Sequence, residues 1–209
     1  MAPLFQVRPV EWDPPEPSLF DAVMLTSANA AVHAGPPLRR YDALPCYCVG
    51  EATGSAAREA GLDRVEVGRS DAAALVETMA AAGVRAALHL CGRDHIRPAG
   101  EPLPIERRIV YAADRIDRLA PEALDALAAG ALALVHSPRA ARQLTELVDE
   151  AGLQRSQIRV AAISPACLEA LGPGWRQSAA AAVPSDQALL ELAAKLCKTD
   201  AMRGSDLNE

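Results

Sequence analysis

Residues 21–34 read DAVMLTSANAAVHA, and this stretch predicts a buried strand that runs directly into a helix. The apolar run at 22–25 has the length of a strand, and an alanine-rich helical stretch follows the hydroxyl residues Thr26 and Ser27. Free N–H groups in the first turn of such a helix can bind an anion or a carbonyl oxygen. Serine and threonine are also ordinary helix caps, so the turn alone does not separate binding from capping.

Strand and helix patterns alternate along the whole chain. Further strands are predicted at residues 46–49, 64–67, 86–91, 108–113, 131–136, 158–163 and 175–182. Helices lie between most of them, and residues 93–107, which contain three prolines, are predicted to form a loop. This alternation is typical of an α/β protein built on parallel sheets with flanking helices.

The second half of the chain repeats the first, roughly 110 residues later. DAVMLTSANAA at 21–31 matches ALALVHSPRAA at 131–141, and the strand–helix unit at 47–61 matches the one at 160–172. The repeat predicts two similar α/β lobes. We assign the first lobe to residues 13–107, the second to 114–197, a two-stranded connector to 3–12 and 108–113, and a disordered tail to 198–209.

The repeat is also asymmetric. The first half has a fourth strand, at 86–91, that has no counterpart before the polar tail of the second half. A matching strand would have to precede Met1, so we expect a native segment of about thirty residues, one strand–helix unit, to be missing upstream.

Composition narrows the class of protein. The formal net charge is −6, which argues against nucleic acid and anionic membranes as partners. No apolar run has the length of a membrane span and the N-terminus lacks a signal-peptide pattern, so a soluble cytoplasmic protein is expected. Only 3% of the residues are aromatic, so any core must be built from Ala, Val and Leu.

The cysteines and histidines do not form a recognisable metal motif. Cys46 and Cys48 are predicted to share one face of a strand, but no second pair lies at metal-ligand spacing, so structural zinc is not expected. Buried free thiols are the expected state of the five cysteines. The four histidines are scattered, and His136 lies beside the second hydroxyl turn, where it either faces a ligand or simply packs.

Seven motifs occur in an order and spacing that resemble the uroporphyrinogen-III synthase family (HemD-like). They are TSANA at 26–30, VGEAT at 49–53, GRSDAAAL at 68–75, IVYAA at 109–113, HSPRAA at 136–141, ISPACLEAL at 163–171 and WRQSAAAAVPSDQALL at 175–190. Family members usually open with a strand and an R-P motif before a linker of the type PLF, which stands at 3–5 here. This chain has neither the strand nor the motif before that linker.

The resemblance implies two lobes joined by a two-stranded ribbon, with the substrate held in the cleft between them largely by backbone amides. It further implies cyclisation of linear hydroxymethylbilane to uroporphyrinogen III, with inversion of ring D and loss of water, in tetrapyrrole and heme biosynthesis. Neither a metal nor an organic cofactor is implied. The implied partners are this small-molecule substrate and, transiently, the preceding enzyme of the pathway.

Carried onto this sequence, the resemblance makes Tyr111 the candidate catalytic residue, with packing on the connector as the alternative. Helix starts in both halves offer N–H groups for the substrate's carboxylates. The candidate substrate-binding residues are Thr26, Ser27, Ala28, Gly50, Thr53, Ser137, Pro138, Ser164 and Ala166. Arg93, Arg97, Arg139 and Arg142 are candidate charge partners, with an ordinary surface role as the alternative.

Two other functions fit the same pattern. Hydroxyl turns at helix starts also bind phosphate, so a two-lobed solute or sugar-phosphate binding protein is one alternative. The other is a catalytically dead or truncated two-lobed ligand-binding protein. A periplasmic binding protein should carry a signal peptide, and the N-terminus lacks that pattern. Analysis of the product isomer distinguishes the enzyme from the catalytically dead protein.

Overall fold

The computed structural model describes residues 2–68, 71–95, 100 and 102–205, and it describes side chains as far as Lys198. Its strands are β1 (Phe5–Pro9), β2 (Ala22–Leu25), β3 (Cys46–Val49), β4 (Val65–Gly68), β5 (Ala87–Gly92), β6 (Ile105–Arg115), β7 (Leu132–Val135), β8 (Arg159–Ala162) and β9 (Gln177–Ala180). Its α-helices are α1 (Ala28–His33), α2 (Glu51–Glu59), α3 (Ala72–Ala81), α4 (Pro121–Ala128), α5 (Pro138–Glu150), α6 (Pro165–Leu171) and α7 (Asp186–Ser205).

The chain divides into two compact units. The first unit is Phe5–Asp114, and the second consists of Arg115–Glu209 together with Met1–Leu4, as far as these residues are described. The chain therefore passes between the units twice, at the start of β1 and at the end of β6, which are neighbouring strands.

The first unit contains a mostly parallel sheet, which in the described residues has the strand order β1-β6-β5-β2-β3-β4. All residues of β2 and β5 are buried, because helices cover both faces of these central strands. Alternate residues point to opposite faces: Val23 and Leu25 pack on the side of α1 and α2, whereas Met24 packs on the side of α3. Buried alanines on α1 and α2 bear out the expected core of small side chains.

The second unit contains a parallel sheet with the order β7-β8-β9 in the part of the chain that is described. Leu144, Leu147 and Leu171 of α5 and α6 pack in one core cluster, and Leu189 and Leu196 of α7 pack in another. The element order repeats that of the first unit, with β7, β8 and β9 corresponding to β2, β3 and β4. The predicted fold class, α/β with two parallel sheets and flanking helices, is confirmed.

The two sheets differ at one edge. In the first unit β5 pairs with β2, whereas no described strand pairs with the corresponding side of β7. The side chain of Leu134 on β7 is accordingly 39% exposed, although β2 is wholly buried.

Two predicted elements have different bounds in the structure. The segment predicted as a connector at 108–113 is part of an eleven-residue strand, β6, which starts inside the predicted loop. Its first residues are Ile105, Glu106 and Arg107, and pairing with β5 rather than local hydrophobicity makes them a strand. The last helix continues past Lys198 to Ser205, where a disordered tail was expected, and 206–209 lie outside the described residues.

Within the described residues, no helix combines the length and apolar character required to cross a membrane.

Candidate functional site

The candidate residues of the first unit lie where its parallel strands end. β2 ends at Leu25 and is followed by Thr26 and Ser27, while β3 ends at Val49 and is followed by Gly50. Ligands of open α/β sheets bind at this carboxyl edge, because the loops and helix starts there are free of the sheet's own hydrogen bonds.

Ser27 is a helix cap. Its backbone is extended, and its Oγ accepts a hydrogen bond from the N–H of Asn29 at 3.2 Å. The helix that it caps, α1, starts at Ala28 and has six residues. The Ser27 hydroxyl is therefore engaged with the backbone, which fits a turn that presents N–H groups better than a nucleophile.

Thr26 contacts a buried histidine. Its Oγ1 lies 3.1 Å from Nε2 of His89, which is in the middle of β5 and is 2% exposed. Burial, reinforced by the positive charges of Arg107 and His95, lowers the pKa of His89 to about 3. The imidazole of His89 is therefore neutral at physiological pH.

A second histidine lies close to the first. The rings of His89 and His95 are 6.2 Å apart and nearly perpendicular, and His95 Nδ1 donates to the carbonyl of Gly92 at 3.0 Å. Two buried ring nitrogens, His89 Nδ1 and His95 Nε2, have no hydrogen-bond partner among the described residues. Sequence reasoning did not single out His89, although a histidine within the apolar run AALHLC was the available indication.

Tyr111 lies against the end of β5. It is opposite Gly92 in the β5–β6 register, at a point where that register shifts. A Cβ atom on Gly92 would lie 2.5 Å from Cζ of the Tyr111 ring, so the ring occupies the space above this glycine. The ring is partly buried on the α1 side of the sheet, 6.3 Å from the ring of His33. It is thus both a packing residue and a residue at the carboxyl edge.

The start of α2 has no side-chain cap. Gly50 precedes it with φ +76°, a conformation that other residues rarely adopt, and no atom lies within 4 Å of the position of a Cβ there. The first residue, Glu51, pairs with Arg58 at 3.1 Å on the exposed face of the helix. Thr53 is 4% exposed, so its side chain lies inside the first unit rather than on an open surface.

The candidate residues of the second unit lie at the carboxyl edge of the second sheet. Ser137 caps α5 by accepting from the N–H of Ala140 at 3.1 Å, with Pro138 as the first helical residue. Ser164 caps α6 by accepting from the N–H of Cys167 at 3.3 Å, and Ala166 in its first turn is exposed. His136 Nε2 lies 3.5 Å from a carboxylate oxygen of Asp186, and both side chains are exposed.

The candidate arginines that the structure describes have different surroundings. Arg93 pairs with Asp114 at 2.9 Å, and Arg8 and Arg93 together lower the pKa of that carboxyl. Arg142 is exposed on α5, Arg139 is partly buried there, and Arg97 lies outside the described residues.

The cysteines match the expectation except at one position. Cys46, Cys48, Cys91 and Cys167 are buried free thiols, whereas Cys197 is exposed. The Sγ atoms of Cys46 and Cys48 are 3.6 Å apart, on the same face of β3 as their spacing predicts. No group of three or more potential metal ligands occurs among the residues that the structure describes.

These features define a class of α/β protein with two units, each built on a parallel sheet. At the carboxyl edge of each sheet, helices begin directly after a serine cap or a glycine. The family model described as uroporphyrinogen-III synthase HemD matches residues 1–191, and the chain belongs to this family. Membership places it in heme and tetrapyrrole biosynthesis, in a family that binds a small-molecule pyrrole substrate.

A solved structure of the same family resembles the fold. Uroporphyrinogen-III synthetase from Helicobacter pylori matches with a TM-score of 0.67 and 17% identity, covering 92% of this chain and 91% of that one. The wild-type synthase from the extremely thermophilic bacterium Thermus thermophilus matches with a TM-score of 0.36 and 16% identity, covering 92% and 87% of the two chains. At 17% identity the likeness to the Helicobacter pylori structure concerns the fold alone. The search of curated proteins found no match.

Proposed function

We propose that the protein is a uroporphyrinogen-III synthase, a lyase that cyclises hydroxymethylbilane to uroporphyrinogen III with inversion of ring D and loss of water. The observation that carries this proposal is the family match over residues 1–191. The geometry at the carboxyl edge of the first sheet supports it. The turn at Thr26 and Ser27 directly follows β2, Tyr111 is on β6, and these two strands flank β5.

Substrate binding in this proposal depends on local hydrogen-bond donors. Hydroxymethylbilane carries many carboxylates, and a chain with net charge −6 cannot attract them by overall charge. The first-turn N–H groups of α2 and α5, which follow Gly50 and Ser137, are the donors that we assign to this role. The shorter helices after Ser27 and Ser164 would contribute their turns.

The chemistry needs little from the protein. Protonation of the hydroxymethyl group lets it leave as water, and the electron-rich pyrrole stabilises the resulting cation. Attack by the substituted carbon of the last ring forms a bond to this cation. The older bond from that carbon to its bridging methylene then breaks, and the methylene carbon bonds to the unsubstituted α-carbon of the same ring, which loses a proton. These steps invert ring D, and they require mainly that the two ends of the substrate be held together. We assign to Tyr111 the proton or hydrogen bond given to the departing hydroxyl.

The test is the isomer formed from freshly prepared hydroxymethylbilane. We expect the type III isomer in the presence of the protein and the type I isomer in its absence, separated chromatographically after oxidation to porphyrins. Type I alone would overturn the proposal. If the protein then still bound hydroxymethylbilane, the catalytically dead ligand-binding protein would be the better assignment.

The same assay tests Tyr111. The Tyr111→Phe variant keeps the ring that packs on Gly92 and loses the phenol, so kcat should fall by about tenfold or more with KM little changed. An unchanged kcat would leave Tyr111 with a packing role only.

A further inference from the structure

His89 is a buried base that the proposed mechanism does not use. It occupies the centre of β5, where it pairs in register with Met24 of β2 and Arg107 of β6. Its side chain lies on the α3 side of the sheet, opposite to the side on which Tyr111 packs. Its one hydrogen-bond partner among the described residues is the hydroxyl of Thr26.

The neutral ring of His89 can carry its proton on either nitrogen, and the two tautomers differ in free energy. A proton on Nδ1 would leave a buried N–H group with no acceptor, because Nδ1 has no partner in the described structure. A proton on Nε2 leaves only a lone pair unsatisfied, which native proteins tolerate more often than an orphaned N–H. The hydrogen bond at Nε2 therefore favours the tautomer in which His89 is the donor.

The direction of this hydrogen bond decides what Thr26 can do. A hydroxyl that accepts from His89 keeps its own proton free, whereas a hydroxyl that donates to His89 does not. Thr26 is partly exposed at the carboxyl edge of the first sheet, so its free proton is available to a ligand there.

We propose that His89 is a positioning residue: it donates from Nε2 to Thr26 and so directs the threonine hydroxyl to donate to a carboxylate oxygen of the ligand. The inference rests on the proposed function for the identity of that ligand, a pyrrole carboxylate. The second unit has no equivalent device in its described residues, because His136 takes the place of Thr26 and no strand corresponds to β5.

The first test needs no substrate. Nitrogen-15 NMR of histidine-labelled protein at pH 7 should show His89 as the neutral tautomer protonated on Nε2, and Thr26→Val should shift the Nε2 resonance. A tautomer protonated on Nδ1, or a charged ring, overturns the inference even if the protein proves to have another function.

The second test is a double-mutant cycle on kcat/KM for formation of the type III isomer. His89→Leu and Thr26→Val should each lower kcat/KM by about five- to tenfold, mainly through KM, and the double variant should lose no more than either one alone. His89→Gln, whose amide nitrogen can replace Nε2, should restore most of the loss.

Leu88→Val is the matched control. Leu88 is buried on the same strand but on the other face of the sheet, so this variant perturbs packing without touching Thr26. Its kcat/KM should equal that of the wild type. Additive losses for His89→Leu and Thr26→Val, or a failure of His89→Gln to restore activity in a folded protein, contradict the inference. Absence of type III product from the wild type would instead overturn the proposed function, and the NMR result would then decide the role of His89.

Discussion

At the scale of single residues, His89 links burial to the pH dependence of stability. Its pKa is about 3 in the folded chain, against an ordinary value of 6.5, because burial and then the charges of Arg107 and His95 disfavour the imidazolium. The unfolded chain therefore binds a proton below pH 6.5 that the folded chain does not. The contribution of the neutral His89 to the free energy of unfolding is complete above pH 6.5. The free energy of unfolding then falls by up to about 1.4 kcal/mol per pH unit as the pH drops from 6.5 towards 3.

Urea denaturation between pH 7 and pH 5 measures this effect. The carboxyls whose pKa values are lowered by arginine partners, Asp21, Asp114 and Asp149, stay ionised over this range and do not contribute to the slope. The free energy of unfolding of His89→Gln should depend less steeply on pH than that of the wild type. Equal slopes for the two proteins would contradict the pKa assigned to His89.

At the scale of secondary-structure elements, the contact of β5 with β6 depends on Gly92. The Tyr111 ring fills the space where any other residue would place its Cβ, and the β5–β6 register shifts at this point. Gly92→Ala should therefore destabilise the protein by about 1–3 kcal/mol through overpacking, since ring and strand cannot both keep their positions.

Repeating Gly92→Ala in a Tyr111→Ala protein distinguishes the clash with the Tyr111 ring from other effects of the Gly92→Ala substitution. In the Tyr111→Ala protein the space above Gly92 is open, so Gly92→Ala should there cost much less in the free energy of unfolding. Urea midpoints of the four proteins give the coupling between the two positions. An equal cost in both backgrounds would show that the ring does not constrain this glycine.

At the scale of the whole molecule, each unit has its own hydrophobic core, and the strands of the two sheets differ in how fully they are buried. The central strands of the first sheet are buried on both faces, whereas β7 of the second sheet has an unpaired side in the described structure and an exposed Leu134. We expect the second unit to unfold at a lower urea concentration than the first. A difference of about 2 kcal/mol would separate the midpoints by about 1 M.

The two tryptophans of the chain report on the units separately. Trp12 of the first unit donates to the carbonyl of Ala34, and Trp175 of the second donates to that of Leu171. The fluorescence of Trp175 in a Trp12→Phe protein should therefore change at lower urea than that of Trp12 in a Trp175→Phe protein. Coincident transitions in the two variants would contradict the expected order.

The sequence alone was sufficient to predict the features that depend on neighbouring residues. Short apolar runs followed by alanine-rich stretches predicted the strands and helices, and Ser27, Ser137 and Ser164 are helix caps in the structure. The spacing of Cys46 and Cys48 predicted that both thiols face the same side of β3. These features follow from local geometry, so a repeated local pattern also revealed the two similar halves.

Only the tertiary structure decided the features that join distant parts of the chain. The charged start of β6 becomes a strand because it pairs with β5. Thr26 contacts His89, 63 positions further along the chain, because β5 pairs with β2. Local sequence contains no information on such pairing, since its free energy comes from contacts between segments rather than within them. For the same reason, the sequence identified the turn at Thr26 and Ser27, but only the fold revealed the histidine beneath it.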